Sequence, residues 1–589
     1  MKTQFNQISQ YSFKAKVVLA SFILCSLLSG CEKKEQHHSL SNQAENPSIY
    51  FNGDILTMES AQPSYAEAIV VAGGKVIFVG SETQAKHAAG NKAELIDLKG
   101  STLLPAFLDP HSHYYSSLSV ANQVNVFPPP AGPGSNAQSI IEELKNFKVA
   151  NNIADGELIQ AYGYDDNEMP KGQLLDCDDL DAAFPNNPVL VGHVSMHGAV
   201  LNTPALKKWG IDASTETPAG GIIVRKEGTN QPCGLIMETA FLPIFASLPA
   251  PTQEQEIEWS RAGQMLYAAA GITTAHEGVT HAKDLKVMQR AAKAGANIID
   301  IIAYPFITDL DEVLADNPVS TWGKYSDRLK IGGAKITADG SPQGKTAYFS
   351  TPYLTGGPSG EENWQGEPTF DSVTLQKMLK KVYDLGVPLN YHANGDGAID
   401  MLLQSHETIA ANDLTKDRKV TIIHSQFVRK EQLEKYVKYK MRPSFYTLHT
   451  YYFSEAHIAN RGTEQAMYIS PMRDAIDMGI VPTNHTDFVV APLDQMFVVW
   501  SAVNRISRGG QVIGEGQRIT PYEALQAITI NAALQYGEEA SKGTITTGKL
   551  ADLVILDKNP LKVDADAIKD IRVLKTIKEG KVIFKNENI

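Results

Sequence analysis

The middle of the chain alternates short apolar runs with helical patterns, and this alternation constrains the fold more than any other feature. Eight runs have the length and composition of buried strands. They lie at 103–108, 272–275, 298–303, 329–336, 387–391, 420–423, 441–446 and 478–482. Between most of them, apolar residues recur at helical spacing, as in the stripe from Leu375 to Val382 that Gly386 ends. Eight strand–helix units predict an α/β fold, a (β/α)₈ TIM-like barrel.

Two further units are predicted around the barrel. Short strands separated by turn signals fill 48–104 and recur in 541–589, so we expect one small β-sandwich-like domain built from both chain ends. The segment between the first two candidate strands is far longer than a connecting loop and contains strand-like runs of its own. We therefore expect a barrel over 105–540 with an inserted subdomain at 114–260 that covers the barrel mouth.

The N-terminus has the pattern of a targeting segment. Two lysines precede an apolar run at 17–28, which is shorter than the roughly 20 residues that span a bilayer and is typical of a signal-peptide core. The run ends in Leu-Ser-Gly-Cys, which resembles a bacterial lipobox and predicts a signal peptide over 1–30 with lipidation of Cys31. A plain secretory signal and an uncleaved anchor remain alternatives. Polar residues 31–47 predict a tether, and the expected location is the bacterial cell envelope, lipid-anchored in the outer membrane and facing the periplasm.

Composition excludes several classes of protein. The chain has 589 residues, of which 43% are hydrophobic and 20% charged, as in ordinary globular proteins and unlike disordered, collagenous or coiled-coil chains. The net charge of −13 provides no basic surface for nucleic acid. None of the four cysteines is in a Cys-x-x-Cys pair, which argues against a thiolate zinc site. Whether Cys177 and Cys233 form a disulfide, and the oligomeric state, are left open.

Polar side chains capable of binding metal follow five of the candidate strands. They are His111, His113, Lys335, His392, His424 and Asp487. The carboxyl ends of barrel strands form the catalytic face, so these six groups are expected to converge there. Each has an ordinary structural alternative, such as an ion pair or a hydrogen-bonded core histidine. Together they predict a metal centre, because buried polar groups without partners cost several kcal/mol.

Four motifs resemble those of the amidohydrolase superfamily. They are LPAFLDPHSH at 104–113, GAKITADGS at 333–341, HANGD at 392–396 and GKLADLV at 548–554. In combination they are similar to the amidohydrolase-3 branch, which includes N-substituted formamide deformylase-like proteins and YtcJ-like metal-dependent hydrolases. The resemblance covers residues 48–587. At 484–487 the chain has Asn-His-Thr-Asp in place of a more usual Gly-Ser-Asp.

The resemblance implies a role for each candidate ligand. His111 and His113 would bind one metal with Asp487, while His392 and His424 would bind a second. Lys335 would be carboxylated and would bridge the two ions. Imidazole and carboxylate ligands favour zinc, and we expect two zinc ions per chain, with iron, manganese and nickel as alternatives.

A hydrolytic mechanism follows from these parts. The metal would generate a hydroxide, and Asp487 would take its proton and pass it to the leaving nitrogen. His197 and His449 are candidates for stabilising the oxyanion, and substrate contact is expected from His276, Glu277 and Trp364.

The leading expectation is therefore a metal-dependent hydrolase that cleaves a non-peptide, amide-type carbon–nitrogen bond of a small molecule. Two alternatives stay open. One is another metal-assisted reaction at the same site, namely ester or phosphoester hydrolysis or deamination, since fold alone does not select the reaction. The other is an inactive binding lipoprotein.

Overall fold

The computed structural model describes residues 46–129, 131–171, 173–194, 197–248, 251–358 and 360–587. The signal segment, Cys31 and nearly all of the tether lie outside the described residues. Within the described part of the chain, no helix is both long enough and apolar enough to cross a membrane.

Both ends of the chain contribute to one eight-stranded sheet. Its strands are Ser48–Leu56, Tyr65–Ala72, Lys75–Gly80, Glu94–Asp97, Thr102–Pro105, Leu553–Leu556, Val573–Lys578 and Lys581–Lys585. Thr102–Pro105 joins the two ends, because it pairs with Asp54 and Ile55 on one side and with Leu553–Leu556 on the other. These strands form a single hydrogen-bonded sheet.

Residues 68–71 of the strand Tyr65–Ala72 are buried on both faces of this sheet, which explains why they form a continuous apolar run. Ile69 and Val71 pack in one hydrophobic cluster, while Ala68 and Val70 pack in another with Ala85. Ala85 belongs to the helix Glu82–Ala89, a helix within 48–104 that the expectation of strands alone missed.

A second sheet forms the inserted subdomain. In sheet order, its six strands are Gly221–Arg225, Pro232–Glu238, Gly198–Leu201, Val189–His193, Ile159–Tyr164 and Val124–Asn125. Cys177 and Cys233 form a disulfide that joins the helix Cys177–Ala183 to the strand Pro232–Glu238. The pairing that the sequence left open is therefore present.

The eight central strands are parallel to their neighbours. They are Phe107–Leu108, Ile272–Thr280, Asp300–Pro305, Leu329–Ile331 with Ala334–Thr337, Leu389–Ala393, Val420–His424, Arg442–Phe445 and Thr483–Asn484. Beyond the ends of strands eight and one, the N–H of Asp487 donates to the carbonyl of His111 at 3.2 Å, and the N–H of His113 donates to Phe488 at 2.6 Å. The result is a TIM-barrel-like α/β fold, as predicted.

Two of the predicted strands need correction. The run at 103–108 divides between two sheets, since Thr102–Pro105 belongs to the sheet of the chain ends and only Phe107–Leu108 pairs with strand two. The run at 478–482 is wrong as a strand, because strand eight is Thr483–Asn484, directly after it. Apolar residues at 478–482 instead follow the helix Met472–Asp477.

Strand four is interrupted at two glycines. Leu329–Ile331 pairs with strand three, and Ala334–Thr337 pairs with strand five. A Cβ on Gly332 would lie 2.6 Å from Ile302, and one on Gly333 would lie 2.2 Å from the carbonyl of Pro388. Only glycine allows this close approach, so the two residues permit the strand to change partners.

Helices follow most of the central strands and cover them. The described helices are Glu82–Ala89, Tyr114–Val120, Ala137–Ala150, Cys177–Ala183, Thr203–Lys208, Leu242–Ala246, Gln253–Ala269, Ala282–Lys293, Leu310–Asp316, Ser372–Leu385, Asp396–Ile409, Lys430–Tyr439, His449–Tyr452, Ser454–Arg461, Thr463–Met467, Met472–Asp477, Gln495–Asn504, Pro521–Ala527 and Ile530–Gln535. Ser372–Leu385 begins at an Asp371 cap and ends at Gly386 in the left-handed region, as its apolar stripe predicts. Gln253–Ala269, which begins inside the predicted insertion, packs on Tyr114–Val120 and on strand two, so it covers the central strands.

A buried ion network ties the amino end of strand three to the end of the chain. The carboxylate of Asp300 lies 2.6 Å from Nζ of Lys542 and 2.6 Å from Nζ of Lys578. Arg328 contacts the other oxygen of Asp300 at 3.1 Å. Lys542 also contacts Glu538, and Lys578 also contacts Asp552, so the network links strand three to the sheet of the chain ends. Removing Asp300 would leave an excess of buried positive charge.

Candidate metal centre

His111 and His113 follow strand one and point towards the same carboxylate. The Nε2 atoms of both rings lie 3.3 Å from Oδ1 of Asp487. Asp487 follows strand eight and has a left-handed backbone with φ of 53°, a conformation that costs a non-glycine residue about 1–3 kcal/mol and is concentrated at functional sites. The structure thus brings the ends of strands one and eight together at one point.

Lys335 is fully buried in strand four, and its Nζ has no hydrogen-bond partner among the described residues. Burial lowers the pKa of this amine to about 7, against the opposing influence of the carboxylates of Asp487 and Glu277. A large fraction of the amine is therefore neutral near neutral pH. This is the form of a lysine that a metal centre or a carboxylation reaction requires.

His392 and His424 form a second pair of imidazoles. Nε2 of His424 lies 3.1 Å from Nδ1 of His392. Burial, aided by the charge of Lys335, lowers the pKa of His392 to about 3, and burial also lowers the pKa of His424 well below its usual value. Both rings are therefore neutral at physiological pH and offer lone pairs. His424 also has a left-handed backbone, with φ of 70°.

The donor atoms fit a metal ion. Two ligand atoms at about 2.0–2.1 Å from a tetrahedral ion are separated by roughly 3.3 Å. This is the spacing of Oδ1 of Asp487 from each of the rings of His111 and His113. These contacts are not aligned as hydrogen bonds, so Oδ1 of Asp487, like Nζ of Lys335, is buried without a hydrogen bond from the described residues. Donor atoms of His111, His424 and Asp487 also lie within 4.8 Å of one another.

His485 was not among the predicted site residues, yet it lies inside this cluster. Its ring centroid is 5.1 Å from those of both His111 and His424, and its Nε2 lies 3.1 Å from Nδ1 of His424. The sequence contained a signal for it, namely the replacement of Gly-Ser-Asp by Asn-His-Thr-Asp in the motif that ends at the candidate ligand Asp487. Another missed residue is Gly278, where a Cβ would lie 2.3 Å from Cε1 of His111.

His276 and Glu277 lie beside the cluster in strand two. His276 is fully buried, with Nδ1 3.3 Å from the carbonyl of Ser112 and Nε2 2.8 Å from the amide of Asn390. Glu277 accepts hydrogen bonds from the backbone N–H groups of Tyr115 and Val279. These contacts give both residues a structural part in holding strand one, and substrate contact stays a prediction.

His449 is connected to the donor cluster through the ring of Tyr446. Its ring is 4.6 Å from that of Tyr446, which stacks on His485 at 5.1 Å. Nδ1 of His449 lies 2.9 Å from Nε2 of His457, and both rings are buried. The hydroxyl of Tyr446 is buried and has no hydrogen bond among the described residues. Tyr446 and His449 are therefore buried polar side chains beside the donor cluster, and the role of His449 in stabilising an oxyanion stays a prediction.

In the described structure, the remaining two candidates, His197 for the oxyanion and Trp364 for substrate contact, have contacts elsewhere. His197 is exposed in the inserted subdomain, with Nδ1 3.2 Å from Glu238. Trp364 donates its indole N–H to the carbonyl of Lys345 at 2.7 Å and packs beside Phe349. Trp364 thus stabilises the loop after strand four, and its contact with substrate stays a prediction.

A sequence model of the amidohydrolase family matches residues 94–584, most of the chain. The chain belongs to the amidohydrolase family. It is therefore an amidohydrolase, a hydrolase that acts on carbon–nitrogen bonds other than peptide bonds, and membership of this family implies a divalent metal. The resemblance seen in the sequence motifs is confirmed.

Individual relatives match over nearly their whole length. The chain is 25% identical to the N-substituted formamide deformylase of Arthrobacter pascens over 543 residues, 90% of this chain and 97% of the relative. It is 26% identical to YtcJ of Bacillus subtilis strain 168 over 554 residues, 91% of this chain and 99% of the relative. A solved structure of an uncharacterized metal-dependent hydrolase from Pyrococcus horikoshii has a TM-score of 0.67 at 24% identity, covering 88% of this chain and 99% of that one. This last likeness shows the fold.

Proposed function

We propose that this amidohydrolase cleaves an amide-type bond of a small molecule and uses two zinc ions to do so. The observation that carries the proposal is the convergence of two donor groups around Lys335. His111, His113 and Asp487 have the spacing of ligands to one ion, and His392 and His424 have a similar spacing for a second. Bound metal would lower the pKa of water from about 15.7 towards about 7 and would polarise the scissile carbonyl.

Lys335 would hold the two donor groups together as a carbamate. Its buried Nζ has no hydrogen-bond partner among the described residues, so burial disfavours a charged amine there. The neutral amine nitrogen would add to the carbon of CO₂, forming a C–N bond and releasing one proton to solvent. The product is an anion with two oxygens, which suits a position between two cations.

Asp487 would act as the base. Its Oδ1 has the spacing of a metal ligand relative to the rings of His111 and His113, which would leave the second carboxylate oxygen to take a proton. The carboxylate would take a proton from water and deliver it to the leaving nitrogen. His449 and His197 are the groups first considered for the developing oxyanion, and the unpartnered hydroxyl of Tyr446 is a third.

N-substituted formamides are the first substrates to test, because one relative is named as a deformylase of these compounds. Purified protein would be incubated with formamides, N-acyl amines, lactams, esters and phosphoesters, and released amine and acid would be measured. We expect amine release that is abolished by chelation and restored by zinc, and that is lost in Asp487→Asn. Release of ammonia from an aminated ring, or of alcohol from esters alone, would identify a different reaction at this site.

We also propose that the protein is anchored by lipid at Cys31 in the bacterial envelope. The disulfide between Cys177 and Cys233 supports an oxidising compartment outside the cytosol. Cells grown with labelled palmitate should incorporate label into the wild-type protein and none into Cys31→Ala. An unlabelled wild-type protein would rule out the anchor without affecting the proposed reaction.

A further inference from the structure

A continuous series of polar contacts between side chains runs through the second donor group. Oγ of Ser444 lies 3.0 Å from Nδ1 of His485, and Nε2 of His485 lies 3.1 Å from Nδ1 of His424. Nε2 of His424 then lies 3.1 Å from Nδ1 of His392. All four side chains are mostly buried, so each nitrogen that carries a proton needs an acceptor among its protein neighbours.

Metal binding by His424 determines where its proton must be. Nε2 is the nitrogen that faces His392, so Nε2 is the atom that would offer its lone pair to an ion. A neutral imidazole carries one N–H, which must then be at Nδ1. The only group facing Nδ1 in the described structure is Nε2 of His485, which has to accept this hydrogen bond.

The same requirement for a hydrogen-bond acceptor applies to His485 and involves Ser444. If Nε2 of His485 accepts, the proton of its neutral ring is at Nδ1 and is donated to Oγ of Ser444. His392, by contrast, has a carboxylate near its other nitrogen. Its Nε2 lies 3.5 Å from Oδ1 of Asp339 and 3.1 Å from the side-chain amide nitrogen of Asn394. Metal-binding histidines commonly donate to a carboxylate, a carbonyl or a water. His424 has only an imidazole for this purpose.

We propose that His485 is a positioning residue that holds His424 in the tautomer able to bind the second metal. This inference rests on the two-metal centre of the proposed function. The packing of His485 supports it, because the ring is fully buried and is fixed by stacking on Tyr446 at 5.1 Å with an interplanar angle of 24°. A fixed ring keeps its Nε2 aimed at His424, whereas a mobile acceptor would not select a tautomer.

Two substitutions distinguish loss of the hydrogen-bond acceptor at His485 from loss of the volume of its ring. In His485→Gln, the amide reaches the position of Nε2 and its oxygen accepts from His424. In His485→Asn, the shorter amide stays near Ser444 and provides no acceptor for His424. The protein would be purified with zinc, and its metal content would be measured by elemental analysis and its zinc affinities by chelator competition. Thermal unfolding of the metal-free protein would be measured in parallel.

We expect wild type and His485→Gln to hold near two zinc ions per chain. His485→Asn should bind its second zinc about 10–100-fold more weakly, as is typical when the partner of a metal-binding histidine is lost. The control is His406→Asn, a buried histidine on the helix Asp396–Ile409 whose nitrogens bond to Tyr383 and the carbonyl of Leu414. It should lower the unfolding temperature without changing either zinc affinity.

The outcomes distinguish failure of the positioning role of His485 from failure of the two-metal centre. If wild type binds two zinc ions and His485→Asn binds both with unchanged affinity, the positioning role is wrong and the metal centre stands. If wild type binds no more than one zinc, the two-metal centre itself fails. Should His485→Asn not fold, Ser444→Ala decides, because it removes the acceptor for Nδ1 of His485. This variant should weaken only the second zinc, and unchanged affinity there would overturn the inference.

Discussion

Alanine at Gly278 would test the position of His111, one of the most buried candidate ligands. Gly278 lies in strand two, and a Cβ there would be 2.3 Å from Cε1 and 2.8 Å from Nδ1 of His111. Non-bonded carbon atoms pack at about 3.5–4.0 Å, so the ring would have to move by more than about 1 Å. The backbone of Gly278 is outside the left-handed region, so the new methyl group acts through this contact and not through backbone strain.

The ring of His111 has no space for such a movement. Its centroid lies 5.0–5.6 Å from those of four other imidazoles, which are His113, His276, His424 and His485. Metal–ligand distances tolerate changes of only about 0.2 Å. We therefore expect Gly278→Ala to lose the first metal, while overpacking lowers the stability of the metal-free protein by about 1–3 kcal/mol.

Metal content, turnover and denaturant unfolding of the metal-free protein would measure these effects. The matched control is Gly516→Ala, because a Cβ on Gly516 would have no heavy atom within 4 Å and its backbone is also outside the left-handed region. Gly516→Ala should match wild type in all three assays. A Gly278→Ala protein with full metal content and normal turnover would refute the described contact between strand two and His111.

Three further substitutions test other parts of the structure. Asp487→Asn should retain most of its metal but lose about 10²–10⁴-fold in turnover, as expected for loss of a general base; metal analysis and steady-state rates would show both, and a near-normal rate would exclude the shuttle. Tyr446→Phe should leave metal content and the unfolding temperature unchanged while lowering kcat more than KM changes, and equal rates would remove its hydroxyl from the mechanism. Asp300→Asn should cost about 3–5 kcal/mol at pH 7, far more than Asp384→Asn, which breaks an exposed pair. Burial would raise the pKa of Asp300, but its two lysine partners hold it below the usual value, so its stabilisation is present above about pH 3.9 and is lost at lower pH. The difference from wild type in urea unfolding should therefore shrink in acid, and a constant difference would argue against the charged network.

Most of the donor set could be predicted from the sequence. His111, His113, Lys335, His392, His424 and Asp487 each follow or end an apolar run, and the ends of parallel strands meet at one face of a barrel. The structure places all six in or beside one cluster. This convergence can be predicted without knowledge of side-chain packing. The helix Ser372–Leu385 and its end at Gly386 were predictable for a similar reason. The spacing of apolar residues and the left-handed glycine cap both depend on residues close together in the sequence.

Strand partners were not predictable in the same way. The apolar run at 103–108 indicates a buried strand, but a buried strand has the same sequence pattern in the sheet of the chain ends and in the barrel. Thr102–Pro105 pairs with Leu553–Leu556, more than four hundred positions away, and only the folded chain brings these segments together. Strand eight was misplaced because Thr483–Asn484 is short and polar and owes its conformation to pairing with strand seven.

What the sequence determined by itself is the set of ligand types and the α/β pattern that brings them to one face, because both depend on residues close together in the chain. What only the tertiary structure decided is how those ligands are held. His485 matters because its Nε2 faces Nδ1 of His424 and can accept a hydrogen bond there, and Gly278 matters because the ring of His111 leaves no space for a Cβ. These relationships depend on directions and distances between side chains on different strands. Local periodicity contains no information about them.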